Sequence, residues 1–176
     1  MTNIPDDDAV YETWDSVADK SVQLAKLIED YCRQSGERFD AMIVIPRGSY
    51  FPVNIIARRL GFLPTDLLHA CINSYEAGSS KRTEFTLGQM PTAEQITGKN
   101  LLIIDEVCDT GFTLDFLTGW LHEQGAALVR TAVLHYKPER SQTGFKPDLL
   151  VAETNDWIVY PWETGERQSS TVKRQD

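Results

Sequence analysis

The sequence predicts an α/β fold in which a parallel β-sheet is flanked by helices. Two short apolar runs, Ala41–Ile45 and Leu101–Ile104, have the composition of strands that are buried on both faces. Each run is followed by a polar loop and then by a helical segment, Phe51–Leu60 in the first case and a helix ending near Glu123 in the second. Strand, loop and helix in this order are typical of parallel sheets, and 176 residues suit one domain.

The other predicted elements fit the same fold. Apolar residues over Asp15–Ser35 recur at helical spacing with charged residues between them, which predicts an amphipathic first helix. The helix over 51–60 has a proline in its first turn and Gly61 just past its end, the usual positions for both residue types. Further strands are predicted at Thr65–Ile72 and Ala127–His135.

A long polar segment separates the two buried strands. Residues 73–98 are rich in glycine, serine, threonine and basic residues, and a connection of this length predicts a flexible lid. Phe85 and Leu87 alternate with polar residues, which predicts a short hairpin within the segment. The expected organisation is an acidic N-terminal lead of residues 1–10, a domain over 11–163 and a polar tail over 164–176.

Composition and charge exclude several classes of partner. The net charge of −9 disfavours nucleic acid, which binds basic surfaces, whereas a few focused cations still allow small phosphorylated substrates. The apolar runs are far shorter than the roughly 18 residues of a membrane span, and the acidic N-terminus is unlike a signal peptide. The cysteines Cys32, Cys71 and Cys108 fit a reducing compartment as small hydrophobic residues. We expect a cytoplasmic protein that binds neither membranes nor nucleic acid.

Several familiar catalytic motifs are absent from the sequence. The only string close to a nucleotide-binding P-loop, Thr97–Lys99, precedes a strand instead of following one, so it cannot place a helix N-terminus on a phosphate. The three histidines, His69, His122 and His135, lack metal-ligand spacing and are expected to be surface or core residues. The sequence therefore argues against kinase, dinucleotide-dependent dehydrogenase, hydrolase and zinc-enzyme functions.

The strongest chemical signal follows the second buried strand. The adjacent carboxylates of Asp105 and Glu106 suit ribose hydroxyls and a hydrated Mg²⁺ ion. The turn that follows contains Thr110, Gly111 and Thr113 and leads into a helix. The two hydroxyls, the glycine and the helix N-terminus together suit a phosphate monoester. A strand-end acid pair followed by an ordinary Asp/Thr helix cap is the structural alternative.

This string resembles the phosphoribosyl-pyrophosphate (PRPP) motif of the type I phosphoribosyltransferases. The resemblance covers roughly residues 11–163 and is closest to bacterial xanthine-guanine and hypoxanthine phosphoribosyltransferases. It implies the fold of that family, with a small purine-binding hood and a flexible catalytic loop over 73–98. The segments that carry it, besides the PRPP motif, are 13–15, 45–52 (the pyrophosphate loop), 73–76, 135–138 and 156–163.

The resemblance implies a purine salvage enzyme. Such an enzyme converts PRPP and guanine, xanthine or hypoxanthine to the nucleoside 5′-monophosphate and pyrophosphate with Mg²⁺, and a homodimer or homotetramer is expected. Asp105 and Glu106 would hold the ribose hydroxyls, with Glu106 also facing the metal. Asp109 would act as general acid and base at the purine N7. The 5′-phosphate would lie on the turn formed by Thr110, Gly111, Phe112 and Thr113.

The remaining roles implied by the resemblance concern the pyrophosphate and the base. Arg47 and Gly48 would face the pyrophosphate, in a loop that contains a non-proline cis peptide bond, and Arg82 or Lys81 would reach it from the catalytic loop, with Arg82 favoured. Lys137 would donate to the 6-oxo group, Trp157 would stack on the base, and the Ile158 carbonyl would read position 2. Trp162 is expected to pack in the hood.

The sequence departs from the family at the pyrophosphate loop. Ser49 stands where a second glycine is usual, and a side chain there predicts backbone strain. Two alternatives remain open: a non-catalytic module of the same fold that senses PRPP or nucleotides, and a phosphoribosyltransferase for another base. The sensors carry a DNA-binding segment or a basic face, and neither is present here.

Overall fold

A computed structural model describes residues 9–77 and 82–163, with the backbone alone described over 73–77 and 82–84. The predicted polar tail, and all but the end of the acidic lead, lie outside the described residues. In chain order the elements are β1 (Ala9–Tyr11), α1 (Trp14–Ser35), β2 (Ala41–Val44), α2 (Tyr50–Leu60), β3 (Leu67–His69), β4 (Ile72–Ala77), β5 (Arg82–Leu87), α3 (Ala93–Ile96), β6 (Asn100–Cys108), α4 (Phe112–Glu123), β7 (Leu128–Tyr136), β8 (Leu149–Glu153) and β9 (Trp157–Val159).

The centre of the fold is a parallel sheet of five strands in the order β3-β2-β6-β7-β8. Side chains of β2 and β6 alternate between two apolar clusters, which explains why both strands read as continuous apolar runs. One cluster packs the sheet against α1 and α2, and the other packs it against α4. The predicted α/β fold with a flanked parallel sheet is therefore confirmed.

The ends of the first two helices are set by capping residues that the sequence shows. Thr13 caps α1 by accepting a hydrogen bond from the Ser16 amide at 3.1 Å, and Gly36 ends the helix with a φ of 78°. Gly61 ends α2 in the same left-handed conformation, with a φ of 79°. Both helices begin one residue before their predicted starts and end where they were predicted to end.

Two predicted strands have different lengths in the structure. The strand predicted over Thr65–Ile72 is shorter and covers Leu67–His69. It starts later because Pro64–Asp66 forms a 3₁₀ turn in which the Asp66 carboxylate accepts from the Leu63 amide at 2.8 Å. In contrast, β6 extends beyond its predicted end, because pairing with β7 continues as far as Cys108 opposite Tyr136. Asp105 and Glu106 therefore lie inside this strand and not at its end.

Two two-stranded sheets accompany the central one. The predicted hairpin is present as the antiparallel pair β4 and β5, with Ser74 opposite Phe85. A parallel pair that the sequence did not predict joins β1 to β9, with Ala9 opposite Trp157. The pairing of β1 with β9 joins the start of the described chain to residues 156–163, the segment called the hood below. Among the described residues, no helix has the length and apolar character needed to cross a membrane.

Candidate active site

The loops that follow three neighbouring strands meet at one edge of the sheet. Arg47 follows β2, Asp109 follows β6 and Lys137 follows β7, and these strands are parallel and adjacent. The carboxyl ends of parallel strands share an edge, where ligands of such sheets bind. The Lys137 amide donates to the Cys108 carbonyl at 3.0 Å, which holds two of these loops together.

The adjacent carboxylates of Asp105 and Glu106 in β6 repel each other, and a bound cation would offset this repulsion. Burial raises the pKa of Asp105 well above its usual range, and the neighbouring charge of Glu106 raises it further. The Glu106 Oε2 atom is buried and has no hydrogen-bond partner in the part of the chain that the structure describes. Carboxylate oxygens are the ligands that Mg²⁺ prefers, so these residues fit such an ion.

The loop after β2 lies directly against this acid pair. A Cβ atom at Gly48 would overlap the carboxyl group of Glu106, so a larger residue there would displace either this carboxyl group or the loop. A cis peptide bond joins Pro46 to Arg47, as the family resemblance implies. The strain predicted at Ser49 is absent, because its φ of −63° and ψ of −17° are ordinary helical values. The buried Ser49 hydroxyl instead donates to the Ile45 carbonyl.

The turn after β6 is the segment at which the sequence predicts a phosphate site. Gly111 has a φ of 88° and precedes the first residue of α4. A Cβ atom at Gly111 would also press on Thr143 and Phe145, so a side chain is excluded by space as well as by conformation. The cavity at this turn has a volume of about 170 Å³, and its polar lining includes Asp105, Asp109, Thr110 and Thr113.

Phe112 differs from the other residues predicted at the phosphate. Its side chain lines a separate groove with Phe85, Phe116 and Trp120. The prediction that Phe112 contributes to the phosphate site is thus limited to its backbone at the start of α4, because the side chain lies on another face of the helix.

Two cations hold the carboxylate of Asp109. The Lys137 ammonium lies 3.2 Å from its Oδ2 atom, and Arg140 Nε lies 2.5 Å from its Oδ1 atom. Lys137 is only 3% exposed, and its Nζ atom lies 5.3 Å from the centroid of the Trp157 ring. The structure therefore brings Asp109, Lys137 and Trp157 together as predicted. It adds Arg140, which the sequence analysis missed although it follows Lys137 by only three residues.

The hood is held in place by a chain of buried polar groups. The Tyr160 hydroxyl donates to the Glu106 carbonyl at 2.9 Å and lies 2.8 Å from His135 Nδ1. On its other side, His135 Nε2 lies 3.1 Å from the Glu12 carboxylate. Burial lowers the pKa of His135 to about 4, although Glu12 favours its charged form. His135 is thus a core residue, as predicted, and its partner Tyr160 joins the hood to the backbone of the acid pair.

The hood also presents two of the predicted base-binding residues. Trp157 is 44% exposed at the start of β9, so part of its ring is open to solvent. Ile158, next to it, is buried and paired with Val10 of β1. Trp162 stacks on Tyr160 and on Phe51, with ring centroids 4.7 Å apart in both pairs, so it packs in the hood as expected.

Comparison with known proteins identifies the family. A sequence model described as "Phosphoribosyl transferase domain" matches residues 13–169. The chain belongs to this family. A purine phosphoribosyltransferase from Pyrococcus horikoshii has a TM-score of 0.71 and 29% identity, with 89% of this chain and 95% of that one covered.

Two further relatives have similar identities. A xanthine-guanine phosphoribosyltransferase of Roseobacter denitrificans is 26% identical over 93% of this chain and 90% of its own. A hypoxanthine phosphoribosyltransferase from Trypanosoma cruzi, complexed with the product IMP, has a TM-score of 0.64 and 26% identity, with 80% of this chain and 73% of that one covered.

The structure describes fewer contacts for the residues predicted to bind pyrophosphate. Arg47 lines a cavity of about 440 Å³ with Cys71 and Thr86, between the loop after β2 and the hairpin. Lys81 and the side chain of Arg82 lie outside the described residues, so the prediction that one of them reaches pyrophosphate stands as a prediction. Burial raises the pKa of the Cys108 thiol to about 12, in keeping with the inert role expected of the cysteines.

Proposed function

We propose that this phosphoribosyltransferase acts in purine salvage and transfers the phosphoribosyl group of PRPP to a 6-oxopurine. The observation that carries the proposal is the placement of buried Lys137 beside Asp109 and next to the ring of Trp157. The names of the relatives from Pyrococcus horikoshii and Roseobacter denitrificans support a purine as the acceptor. The products are the nucleoside 5′-monophosphate and pyrophosphate.

The base side of the site is suited to a carbonyl at position 6. The Lys137 ammonium is a hydrogen-bond donor without acceptor capacity, so it pairs with an oxygen and not with the amino group of adenine. The exposed part of Trp157 offers an aromatic surface on which the base stacks. The Ile158 carbonyl reads position 2 of the ring.

The PRPP side uses the loop after β2, the acid pair within β6 and the turn that follows this strand. Asp105 and Glu106 hold the ribose hydroxyls, and the 170 Å³ cavity formed by the turn at Thr110–Thr113 receives the 5′-phosphate. Arg47 and the backbone at Gly48 face the pyrophosphate, and Arg82 is the residue of the catalytic loop proposed to contact it. Glu106, whose Oε2 atom has no hydrogen-bond partner among the described residues, would hold Mg²⁺, and the ion would supply positive charge against the pyrophosphate.

Asp109 carries the proton transfer. As N9 of the purine bonds to C1′ of the ribose, the bond from C1′ to the pyrophosphate oxygen breaks through a cation-like transition state. The proton on N7 passes to the Asp109 carboxylate, which returns it in the reverse reaction. The chain contributes mainly by positioning these groups and by stabilising the charge of the departing pyrophosphate.

Base discrimination tests the proposal. We expect kcat/KM for hypoxanthine to exceed that for adenine by several orders of magnitude, because adenine leaves the buried Lys137 ammonium without an acceptor. Lys137→Gln, whose amide both donates and accepts, should narrow this ratio at least tenfold. Lys26→Gln, on an exposed face of α1, is the matched control and should leave the ratio unchanged.

Three outcomes would contradict the proposal. A native preference for adenine would refute the assignment of the base. An unchanged ratio in Lys137→Gln would remove Lys137 from base recognition. Nucleotide binding without turnover of any base would favour the alternative of a non-catalytic sensor.

A further inference from the structure

Asp109 contacts two cations, Lys137 and Arg140, which lie in different surroundings. Lys137 is enclosed, with 4% of its side chain exposed, and lies next to the Trp157 ring. Arg140 is at the rim, with 47% of its side chain exposed, and contacts the opposite carboxylate oxygen. The two cations therefore approach Asp109 from different sides, and only Lys137 lies where a base stacked on Trp157 would be.

Binding of the base would weaken the contact of Asp109 with Lys137 more than its contact with Arg140. If Lys137 donates to the 6-oxo group, it gives up part of its interaction with Asp109 Oδ2. The Arg140 contact to Oδ1, at 2.5 Å, is then the remaining ion pair of this carboxylate among the described residues. A carboxylate that must accept a proton from a defined ring nitrogen loses efficiency when it can rotate.

The segment that carries Arg140 is anchored to the site itself. The Arg140 amide donates to the Lys137 carbonyl at 3.2 Å, and the Gln142 amide donates to the Thr110 carbonyl at 2.9 Å. The Glu139 amide is held by the Asn155 side chain at 3.0 Å. The backbone at Arg140 is thus held between the turn after β7 and the turn after β6.

We propose that Arg140 is a positioning residue for Asp109, which holds the carboxylate towards the purine after Lys137 has turned to the base. This role rests on the proposed function. It concerns a residue without a predicted contact to PRPP or the purine. Removal of Arg140 should therefore lower kcat while leaving the affinity for PRPP nearly unchanged.

Kinetics of Arg140→Met test the proposal. We expect kcat to fall about tenfold, between the effects of exposed ion pairs and of buried charged hydrogen bonds, while KM for PRPP stays within twofold. Arg140→Lys, which keeps the charge, should recover most of kcat. Arg33→Met is the matched control, because Arg33 forms an exposed ion pair with Asp30 at the same 2.5 Å distance on α1.

A double-mutant cycle distinguishes positioning from direct substrate binding. In the Asp109→Asn background, Arg140→Met should lower kcat by less than twofold, because the carboxylate it orients is already gone. Independent effects that multiply, or a large rise in KM for PRPP in Arg140→Met, would overturn the proposal in favour of a phosphate contact.

Thermal unfolding supplies a measurement that does not depend on turnover. Arg140→Met should lower the Tm of the native protein by about 2 °C, the scale of a sub-kilocalorie ion pair in a chain of this size. It should leave the Tm of the Asp109→Ala variant unchanged. Equal losses in both backgrounds would overturn the ion pair itself. If Arg140→Met lowers the Tm only when Asp109 is present, but the native protein shows no turnover, the ion pair stands and the proposed function is refuted. The role of Arg140 in positioning is then refuted with it.

Discussion

Gly48→Ala is the substitution whose effect the structure defines most directly. The added Cβ atom would occupy the space of the Glu106 carboxyl group, so either the loop after β2 or the Glu106 side chain must move. Overpacking of this kind costs about 1–3 kcal/mol. If that cost falls on the substrate-bound state, about 1.4 kcal/mol per tenfold converts it to a loss of about 5- to 150-fold in kcat/KM for PRPP.

The assay compares kcat/KM for PRPP over a range of Mg²⁺ concentrations, with unfolding measured in parallel. The matched control is Gly119→Ala, an exposed position of α4 where an added Cβ meets nothing within 4 Å. Alanine should stabilise that helix by up to about 1 kcal/mol and leave activity unchanged. Native activity and native Mg²⁺ dependence in Gly48→Ala would refute the argument that the glycine makes room for Glu106.

The remaining predictions concern proton transfer and pH. Asp109→Asn should lower kcat at least about 100-fold while PRPP binding, measured by calorimetry, persists; an unchanged kcat would make Asp109 structural. Because burial lowers the pKa of His135 from 6.5 to about 4, the unfolded chain binds the extra proton first as the pH falls. Stability from this residue is complete above pH 6.5 and falls towards pH 4, by about 2 kcal/mol between pH 7.5 and 5. Urea titrations should show this loss in the native protein and a smaller one in His135→Gln; equal losses would refute the assignment to His135.

The parts of the fold that the sequence predicts are those set by local pattern. Ala41–Val44 is apolar at every position because both faces of the sheet are covered, and Gly36 and Gly61 end the two helices that cover one face. The acid pair and the turn after it, where the sequence predicts a phosphate site, are contiguous in the chain, so their proposed chemistry could be inferred from the sequence alone. These features needed no knowledge of long-range contacts.

The parts that the sequence does not predict depend on contacts between distant segments. The strands Ala9–Tyr11 and Trp157–Val159 are three residues each, too short for periodicity, and form only because they pair with each other. The chain of Glu12, His135 and Tyr160 joins three segments that are far apart in sequence, and nothing in their spacing indicates it. Arg140 is near Lys137 in sequence, but its contact with Asp109 depends on the 3₁₀ turn over Pro138–Arg140.

The most direct test of the central claim is product identification by mass spectrometry. The native protein is incubated with PRPP, Mg²⁺ and one base at a time, with a parallel series in excess chelator. We expect a nucleoside 5′-monophosphate from at least one of guanine, xanthine and hypoxanthine, one pyrophosphate for each nucleotide, no product from adenine, and no turnover with chelator. Absence of nucleotide from every 6-oxopurine would contradict the account, as would product formation that persists after the metal is removed.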